Sequence, residues 1–557
     1  MLSRADAVAA LASDHFDVVV IGGGITGAGV ALDAATRGYS VALVERSDFA
    51  AGTSSRSSKL VHGGLRYLQN FDLGLVREAL LERQILTHLA PHLVRPLPLV
   101  VAAFDDAKLD RMLGVGLNLY DVMAVRAPGG SGLRGRRGRK SDAADELWSP
   151  DRHRIIDGDE VVEMVPALAG RAPSSGYLFY DCQTDDSRLV LTVLAEAERF
   201  GAVCANRMGV TDLVFEAGLA RGVRVRNEES GEELVVRADN VINATGVWAD
   251  QIRPEELHDE AEVPRIRPSR GTHITLSPQA VPLTGAGTIV PAGSGRSIFA
   301  LPWLGRTLIG TTDVDYDPDA PLEHVPPSEE DVAYLLAATN AYFATDLGPG
   351  DVTGAYAGVR PLISTGDPKK SVDISRKAEL YETSSGMITI TGGKLTTFRR
   401  MAKMTVDRLV ERDAREAPCR THEIPLGQPV EPDELPRVEG VRDDAYGLLA
   451  ARYGHAARDV LAIAAERGEL AQPIVEDLPD LLAEAVYAAR SEQALTLADV
   501  LLRRTRLGLL AGRELLTGEA VARVAAATGA ELGWDAARVE QESERFRAEA
   551  AAEGIAP

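Results

Sequence analysis

The stretch that decides the fold is Phe16-Asp17-Val18-Val19-Val20-Ile21-Gly22-Gly23-Gly24-Ile25-Thr26-Gly27, close to the start of the chain. Its first half is largely apolar and β-branched, which is typical of a buried parallel strand. The glycines match the pattern GxGxxG, and residues 28–37 continue with helical spacing. In this pattern Gly22 permits a tight turn, Gly24 lets the backbone approach a pyrophosphate, and Gly27 allows close helix–strand packing.

The residues after this helix complete the pattern. A second strand, residues 40–44, ends at Glu45, where an acid is placed to bind ribose hydroxyls. The N-terminus of the helix offers unpaired N–H groups and the positive end of its dipole to phosphate. A GxGxxG motif alone is weak evidence, but strand, glycines, helix, second strand and terminal acid together predict a dinucleotide site.

The composition of the chain excludes several classes of function. The chain has 557 residues, enough for about three or four units. Its 82 acidic and 60 basic residues give a net charge of −22, which argues against general nucleic-acid binding. Three cysteines without a CxxC motif exclude a disulfide framework and a thiolate zinc site, and no metal is expected.

The N-terminal residues and the longest uncharged stretch of the chain do not indicate membrane insertion. Residues 1–14 contain only a very short apolar stretch, too short for a signal peptide, so we expect a cytoplasmic protein. The longest uncharged stretch, residues 18–32, is rich in glycine and shorter than the roughly 20 apolar residues needed to cross a bilayer.

Later segments indicate that the dinucleotide is a flavin. Residues 53–68 combine many hydroxyl groups with paired glycines, which suits a backbone running along a ribityl chain and beneath a flat ring. Residues 240–246 and 386–397 are two more apolar strands that end in glycine turns. Three such junctions in one chain favour an extended cofactor held by a discontinuous domain.

The rest of the chain predicts two further units. Short apolar strands between Pro264 and Tyr316 indicate an antiparallel sheet that roofs the flavin. Four prolines in residues 421–442 predict an extended linker. Beyond it, apolar residues recur at helical spacing, so the C-terminal part is predicted to be all-helical.

These segments give a predicted fold class and a domain division. The fold is α/β plus α: a discontinuous Rossmann-like FAD-binding domain, an antiparallel-sheet substrate domain and a C-terminal helical domain. The predicted ranges are 1–80, 176–255 and 355–420 for the FAD-binding domain, 81–175 and 256–354 for the substrate-binding cap, 421–442 for the linker and 443–557 for the helical domain.

The chain resembles the FAD-dependent glycerol-3-phosphate dehydrogenase family over nearly its whole length. The stretches that carry the resemblance are GGGITGAGVALDAATRG (22–38), TSSRSSKLVHGGLRYL (53–68), YDCQTDDSRL (180–189), NATGVWAD (243–250), RPSRGTHI (267–274), LIGTTDVDY (308–316), GVRPL (358–362), ITGGKLTTFRRMAK (390–403), LADVLLRRTRLGLL (497–510) and ELGWD (531–535). The first motif is shared with amine and amino-acid oxidases, whereas GGLRYL, GTTD, GVRPL and GGKLTT together are more specific. The resemblance also implies an amino-acid-oxidase-like architecture.

The resemblance implies a set of site residues. Those expected to hold FAD are Gly22, Gly24, Gly27, Glu45, Thr53, Ser54, Ser58, Lys59, His62, Gly63, Gly393 and Thr396. Those expected to line the pocket for glycerol 3-phosphate are Arg66, Tyr67, His273, Arg360 and Lys394. His273, Arg360 and Lys394 are the catalytic candidates.

The expected reaction is oxidation of sn-glycerol 3-phosphate at C2, with hydride transfer to flavin N5. Because the net charge repels a phosphate dianion and salt screens charges beyond about 8 Å, a local cluster of basic residues must bind the phosphate. Histidine suits the general base because its pKa lies near working pH, which favours His273. His62 is an alternative that orients the flavin, and Tyr67 is an alternative that only packs.

The electron acceptor stays open between a membrane quinone and O₂. An enzyme that reduces quinone is expected at the cytoplasmic face of the membrane as a peripheral protein, and a homodimer is left open. The sequence RAPGGSGLRGRRGRK, residues 126–140, carries six bases and no acids and departs from the family pattern. No apolar amphipathic face is expected beside it, so insertion is unsupported and a solvated loop is favoured.

Two other readings compete with this one. Amine or amino-acid oxidation on the same scaffold needs no cationic cluster of Arg66, Arg360 and Lys394. A flavoprotein that binds a nucleic acid or a membrane through residues 134–140, without catalysis, predicts no turnover of glycerol 3-phosphate.

Overall fold

The structure, a computed structural model, describes most of the chain. The described residues are 1–64, 73–104, 111–124, 152–252, 265–293, 295–364 and 378–556. Arg66, Tyr67 and the basic stretch 126–140 lie outside the described residues.

Two large sheets organise the described residues. The strands are β1 (His15–Ile21), β2 (Val41–Val44), β3 (Leu60–Val61), β4 (Arg95–Ala103), β5 (Arg154–Asp157), β6 (Ser175–Gln183), β7 (Val203–Ala205), β8 (Met208–Glu216), β9 (Leu219–Asn227), β10 (Glu233–Asn243), β11 (Arg265–Leu276), β12 (Gly287–Pro291), β13 (Ser297–Trp303), β14 (Arg306–Gly310), β15 (Val314–Asp315), β16 (Val352–Ser364), β17 (Ala378–Glu382) and β18 (Ile388–Gly392).

Helices cover the sheets and form the C-terminal part. They are α1 (Arg4–Ser13), α2 (Ile25–Thr36), α3 (Leu73–Leu89), α4 (Arg111–Ala124), α5 (Gly158–Met164), α6 (Asp186–Arg199), α7 (Glu329–Phe343), α8 (Phe398–Arg412), α9 (Asp443–Tyr453), α10 (Ala457–Glu466), α11 (Leu482–Ser491), α12 (Leu507–Leu510), α13 (Gly512–Thr517), α14 (Ala520–Leu532) and α15 (Ala536–Glu553). A π-helical turn, Asp499–Arg504, precedes α12.

The first sheet is the predicted dinucleotide-binding sheet. Its strands run in the order β7-β2-β1-β10-β18-β17, with β9 paired to β10 and β8 paired to β9. Strands β7, β2, β1, β10 and β18 are parallel. Val18 and Val20 of β1 pack with the core that includes α2, α6 and α8, whereas Val19 and Ile21 pack into a second core on the opposite face. Burial on both faces explains why β1 is apolar throughout most of its length.

The second sheet is the predicted roof over the cofactor. Its order is β15-β11-β14-β13-β12-β4-β6-β3, with β16 beside β11 and β5 beside β6. Its ladders are antiparallel except between β12 and β4, where Gly287 pairs with Leu99 in parallel. The antiparallel sheet predicted between Pro264 and Tyr316 is confirmed, and the parallel ladder arises where β4, from an earlier part of the chain, joins it.

The second sheet contains strands from within the ranges predicted for the FAD-binding domain. Strands β6 and β16 fall largely within the ranges 176–255 and 355–420, yet they pair in the second sheet. The chain therefore crosses between the two sheets inside those ranges. The domain boundaries given by the sequence stay a prediction.

The C-terminal helices pack directly onto the second sheet. One continuous hydrophobic core includes Trp303 and Tyr356 from the sheet together with Tyr446 and Leu449 from α9. Thr275 of β11 donates a hydrogen bond to the carbonyl of Leu509 at 2.8 Å, so backbone contacts join the two parts as well. The predicted all-helical C-terminal domain is confirmed as an element of the fold.

Helix α4 corrects the expectation that no apolar amphipathic face lies beside the basic stretch 126–140. Its side chains Met112, Val115, Leu119 and Val122 are exposed, although all four are apolar, and α4 directly precedes the basic stretch. The opposite side of α4 is also apolar and buried, because Leu117 and Tyr120 pack inward. An apolar helix face therefore adjoins the basic stretch in sequence. Among the described residues, every helix is too short or too polar to span a lipid bilayer.

Candidate active site

A cavity of about 1680 Å³ lies between the two sheets. Its floor is formed where strands of the first sheet end, at Ile21, Val44, Ala244 and Gly392. The second sheet closes the cavity from above through residues of β11 and β16. Carboxyl ends of neighbouring parallel strands meet at one edge of a sheet, which is where open α/β sheets bind ligands.

The glycine turn after β1 is shaped as the sequence predicts. Gly22 has φ +110°, in the region that favours glycine, and its N–H donates to the Val44 carbonyl at 2.8 Å. A Cβ at Gly27 would overlap the carbonyl oxygen of Gly22. The turn therefore depends on the absence of side chains at both positions, and it brings the start of α2 against the end of β1.

The N-terminus of α2 faces the cavity and is completed by a residue from a different segment. Gly24 is the N-cap and has no side chain to offer, and Ser54 Oγ accepts a hydrogen bond from Ile25 N at 3.0 Å instead. Both Gly24 and Ser54 line the cavity. Helix N-termini of this kind favour anions through their free N–H groups and dipole.

Glu45 lies at the end of β2, on the cavity wall. Its carboxylate accepts hydrogen bonds from Gly23 N at 2.7 Å and Ser47 N at 2.8 Å. Burial raises the pKa of Glu45, although these two amides oppose the shift. Since each carboxylate oxygen has a second lone pair, Glu45 keeps capacity to accept hydroxyl hydrogen bonds.

The hydroxyl-rich stretch runs along the cavity and is tied to the second sheet at two points. Thr53 Oγ1 donates to the Val359 carbonyl at 2.6 Å, and Ser58 Oγ lies 2.9 Å from His273 Nε2. Lys59 differs from its neighbours because its side chain is wholly buried, and Nζ donates to Asp186 Oδ2 at 2.7 Å. Burial lowers the pKa of Lys59 to about 7, although Asp186 opposes the shift. The ammonium of Lys59 therefore lies in the core and does not line the cavity.

The paired glycines after Val61 are held by residues that the sequence prediction missed. Gly63 N donates to Asp181 Oδ1 at 3.2 Å and to Tyr120 OH at 2.9 Å. Asp181 Oδ1 also accepts from Arg83 Nη1 at 2.6 Å and from Tyr120 OH at 2.7 Å. Asp181 stands in the YDCQTDDSRL motif, which was the available signal, but Arg83 and Tyr120 carry no motif. Asp181 lines the cavity as well.

The third glycine junction closes the floor beside His62. Thr396 Oγ1 accepts from His62 N at 3.2 Å, and it lies 3.3 Å from the His62 carbonyl. Gly393 has φ +69°, and a Cβ there would overlap Met401 Sδ. His62, Gly393, Lys394 and Thr396 therefore lie together, as the sequence predicts, although more than 300 residues separate His62 from Thr396.

His273 sits in the roof of the cavity with a constrained ring. Its side chain is buried, and the imidazole stacks on Tyr356 with 4.8 Å between ring centroids and 10° between planes. Burial, with the charges of Lys59 and Arg360, lowers the pKa of His273 well below its ordinary value. The ring is consequently neutral near pH 7, and the same shift makes it a weaker base than an exposed imidazole.

Arg360 is the cation that faces the cavity from β16. Nη1 donates to Asp313 Oδ1 at 3.1 Å, and Nη2 donates to Thr311 Oγ1 and the Thr312 carbonyl, each at 3.1 Å. A Cβ at Gly271 would overlap Arg360 Nη2, so a larger residue there would displace the guanidinium from this orientation. These contacts fix the guanidinium in one orientation while a fraction of it, 23%, stays exposed.

The predicted residues are largely brought together. The described candidates that line the cavity are Gly22, Gly24, Glu45, Thr53, Ser54, Ser58, His62, His273, Arg360, Gly393, Lys394 and Thr396. Gly27, Lys59 and Gly63 lie behind this wall and shape it. A long cavity with an anion-binding helix N-terminus on its floor and small residues at three strand ends fits an extended dinucleotide.

Comparisons with known proteins agree with this geometry. Residues 17–408 match the family model described as FAD dependent oxidoreductase, and residues 389–539 match the C-terminal domain of alpha-glycerophosphate oxidase. The chain is 38% identical to glycerol-3-phosphate dehydrogenase 2 of Mycobacterium tuberculosis over 99% of its own length and 90% of that protein. It is 37% identical to mitochondrial glycerol-3-phosphate dehydrogenase of Bos taurus, over 96% of this chain and 73% of that one.

A solved structure extends the likeness to the whole fold. The glycerol-3-phosphate dehydrogenase of Bacillus halodurans, complexed with FAD, superposes with a TM-score of 0.77 at 29% identity, covering 99% of this chain and 97% of that one. The sequence-based family assignment, fold class and cofactor are confirmed. The chain belongs to the FAD-dependent glycerol-3-phosphate dehydrogenase family.

Proposed function

We propose that this protein oxidises sn-glycerol 3-phosphate to dihydroxyacetone phosphate and passes the electrons to a quinone. The observation that carries the proposal is that a buried histidine, His273, and an oriented arginine, Arg360, both line the roof of the cavity. Oxidation of the alcohol requires loss of the hydroxyl proton and of a hydride from C2. FAD, when bound, supplies the hydride acceptor at N5.

The floor of the cavity holds the cofactor in this proposal. The residues assigned to FAD are Gly22, Gly24, Gly27, Glu45, Thr53, Ser54, Ser58, His62, Gly63, Gly393 and Thr396. The N-terminus of α2 binds the pyrophosphate, and Glu45 accepts from ribose hydroxyls. Lys59 supports this set from the core, through Asp186.

His273 is the proposed general base. Its lowered pKa keeps the imidazole neutral near pH 7, which is the form that takes the C2 hydroxyl proton. Ser58 and the stacked ring of Tyr356 hold the imidazole in one orientation at the cavity wall. A fixed base needs no reorganisation when the proton moves.

Arg360 and Lys394 are the proposed phosphate ligands. Each lines the cavity, and each charge-assisted hydrogen bond to phosphate contributes roughly 1.5–3 kcal/mol. Arg360 is already oriented by Asp313 and Thr311, so little side-chain entropy is lost on binding. Arg66 and Tyr67 complete the predicted pocket, outside the described residues.

An apolar electron acceptor is supported by the side of the cavity that α4 forms. Met112, Val115 and Leu119 are exposed to solvent and line the cavity as well. Apolar side chains at such an entrance suit a quinone and the interface of a bilayer, where we place this protein as a peripheral enzyme on the cytoplasmic side. O₂ is the second candidate acceptor, favoured by the match of residues 389–539 to the C-terminal domain of an oxidase.

Anaerobic mixing with glycerol 3-phosphate tests the proposal. The flavin absorbance of the purified yellow protein should bleach with this substrate and stay unchanged with glycine or proline. Protein that remains oxidised, or that cannot be reconstituted with FAD, contradicts the proposal. Peroxide yield in air, with and without a quinone analogue, then separates the two acceptors.

A further inference from the structure

Arg506, in the C-terminal helical region, reaches the flavin-side loop formed by residues 55–59. Its side chain is fully buried. Nη2 donates to the carbonyl of Ser55 at 2.6 Å and to Asp186 Oδ1 at 3.0 Å, whereas Nη1 donates to Leu502 at 2.7 Å. Two of these three acceptors lie more than 300 residues away in sequence. Arg506 therefore joins the helical region to the loop rather than stabilising its own helix alone.

Asp186 transmits this contact to the middle of the loop. Its Oδ2 accepts from Lys59 Nζ at 2.7 Å, Ser57 Oγ at 2.7 Å and Ser57 N at 3.0 Å. Burial alone would raise the pKa of Asp186, but the charges of Lys59 and Arg506 lower it. A charged carboxylate shared by the Arg506 guanidinium and the Lys59 amine makes short, directional bonds, which leaves Ser57 and Lys59 little freedom.

The other side of the loop contacts the proposed general base. Ser58 Oγ lies 2.9 Å from His273 Nε2. Tyr356, which stacks on His273, donates its hydroxyl to the Ser57 carbonyl at 2.8 Å. The loop is thus held between Arg506 and Asp186 on one side and the imidazole and its stacking partner on the other.

We propose that Arg506 is a positioning residue for the reaction: acting through Ser55 and Asp186, it fixes the 55–59 loop so that Ser58 holds His273 in its productive orientation. This inference rests on the proposed function, because it assumes that His273 takes the substrate proton. Arg506 is fully buried and does not line the cavity. A buried ion pair is weak evidence for stability alone, since apolar replacements often fold as well, and directional control is a role that an apolar residue cannot fill.

A double-mutant cycle between Arg506→Met and Ser58→Ala tests this role. The measured quantity is the limiting rate of flavin reduction by saturating glycerol 3-phosphate under anaerobic conditions, per bound flavin. Each single change should lower that rate by about 10- to 100-fold, the scale expected for a misplaced catalytic group. Because both changes interrupt one path, the double variant should be no slower than the slower single variant. The dissociation constant for the substrate should change little, since Arg360 and Lys394 are untouched.

Arg37→Met is the matched control. Arg37 is also a buried arginine, and it pairs with Asp33 and Asp407, away from the 55–59 loop. Arg37→Met should lower thermal stability but leave the flavin-reduction rate per bound flavin at the wild-type value. Combined with Ser58→Ala, it should leave the rate at that of Ser58→Ala alone. Arg506→Lys keeps the charge and loses the planar fork, so its rate should fall between those of wild type and Arg506→Met. If Arg506→Met does not fold, Arg506→Lys takes its place in the double-mutant cycle.

The outcomes separate the proposed function from the positioning role of Arg506. If wild type is not reduced by glycerol 3-phosphate, the proposed function fails. If wild type is reduced and the Arg506 variants match its rate, or if the effects of the Arg506 and Ser58 changes multiply, the positioning role is wrong while the function stands.

Discussion

The floor and the roof of the cavity are built in different ways. The floor consists of main chain at the ends of parallel strands, where Gly22 and Gly27 leave no room for side chains. The roof consists of side chains on two paired antiparallel strands, where Ser269 pairs with Arg360 and His273 pairs with Tyr356. The floor therefore depends on shape and the roof on charge. Changes at the glycines of the floor should remove the cofactor, whereas changes at the charged residues of the site should spare it.

Gly27→Val should produce the largest effect. Even a Cβ at this position overlaps the Gly22 carbonyl, so the branched side chain must push α2 away from β1. The protein should purify without flavin, which the ratio of flavin to protein absorbance measures. Gly447→Ala is the control, because a Cβ there meets no atom within 4 Å and alanine favours the surrounding helix. A yellow Gly27→Val protein with full flavin content would show that the floor tolerates side chains.

Asp181→Asn tests the residue that joins floor and roof. Asp181 lies on β6 of the roof sheet and holds the main chain at Gly63. The substitution leaves the buried guanidinium of Arg83 without its carboxylate, which should lower the free energy of unfolding by about 3 kcal/mol. Tyr120→Phe removes one neutral donor to the same oxygen and should cost about 1 kcal/mol. Denaturant unfolding measures the free energy of unfolding of both variants. Equal losses in Asp181→Asn and Tyr120→Phe would contradict a central role for the carboxylate charge of Asp181.

Arg360→Ala tests the roof, and Lys394→Ala tests the neighbouring cation on the floor. Loss of one charge-assisted bond to phosphate should raise KM by about 10- to 100-fold, with flavin content unchanged. Steady-state rates and the visible spectrum measure the two quantities. Arg267→Ala is the control, since Arg267 lies on β11 beside Asp315 and does not line the cavity. If Arg360→Ala or Lys394→Ala purifies colourless, the assignment of that residue to substrate is wrong.

The smallest expected effect is a pH dependence at the rim of the cavity. His324 contacts Glu553 at 3.0 Å, and that hydrogen bond raises the pKa of His324 above its ordinary value of 6.5. Stability from this pair is therefore complete below pH 6.5 and is lost as pH rises through the higher folded-state value. The imidazole is about half exposed, so solvent limits the effect to less than about 1 kcal/mol. Melting temperatures at pH 6 and pH 9 should show the difference, and His324→Gln should remove it.

Local sequence was sufficient for the first glycine turn of the floor. The strand, turn and helix around Gly22 involve contacts within about twenty residues, and their main-chain requirements are visible as glycines. The motifs also identified His273, Arg360 and Lys394, because each stands beside small or strand-forming residues that bring it to the cavity. The roles of these residues stay predictions until they are measured.

Other features were hidden because they depend on distant partners. The resemblance placed Lys59 with the cofactor, yet Asp186, 127 residues away, draws its ammonium into the core. Arg83 and Tyr120 carry no motif, and their role follows only from meeting Asp181. The apolar face of α4 escaped notice because both sides of that helix are apolar, so its sequence does not indicate which side is buried.

The amino-acid sequence by itself determined the dinucleotide-binding unit, the family and the cofactor, because short-range steric rules leave a readable pattern of glycines and apolar residues. Tertiary structure alone decided which charges meet. Arg506 and Ser55 are 451 residues apart, and the register between β11 and β16 sets His273 beside Tyr356. Such contacts depend on how separate elements pack, and the energy of a buried charge is settled only by the partner that packing provides.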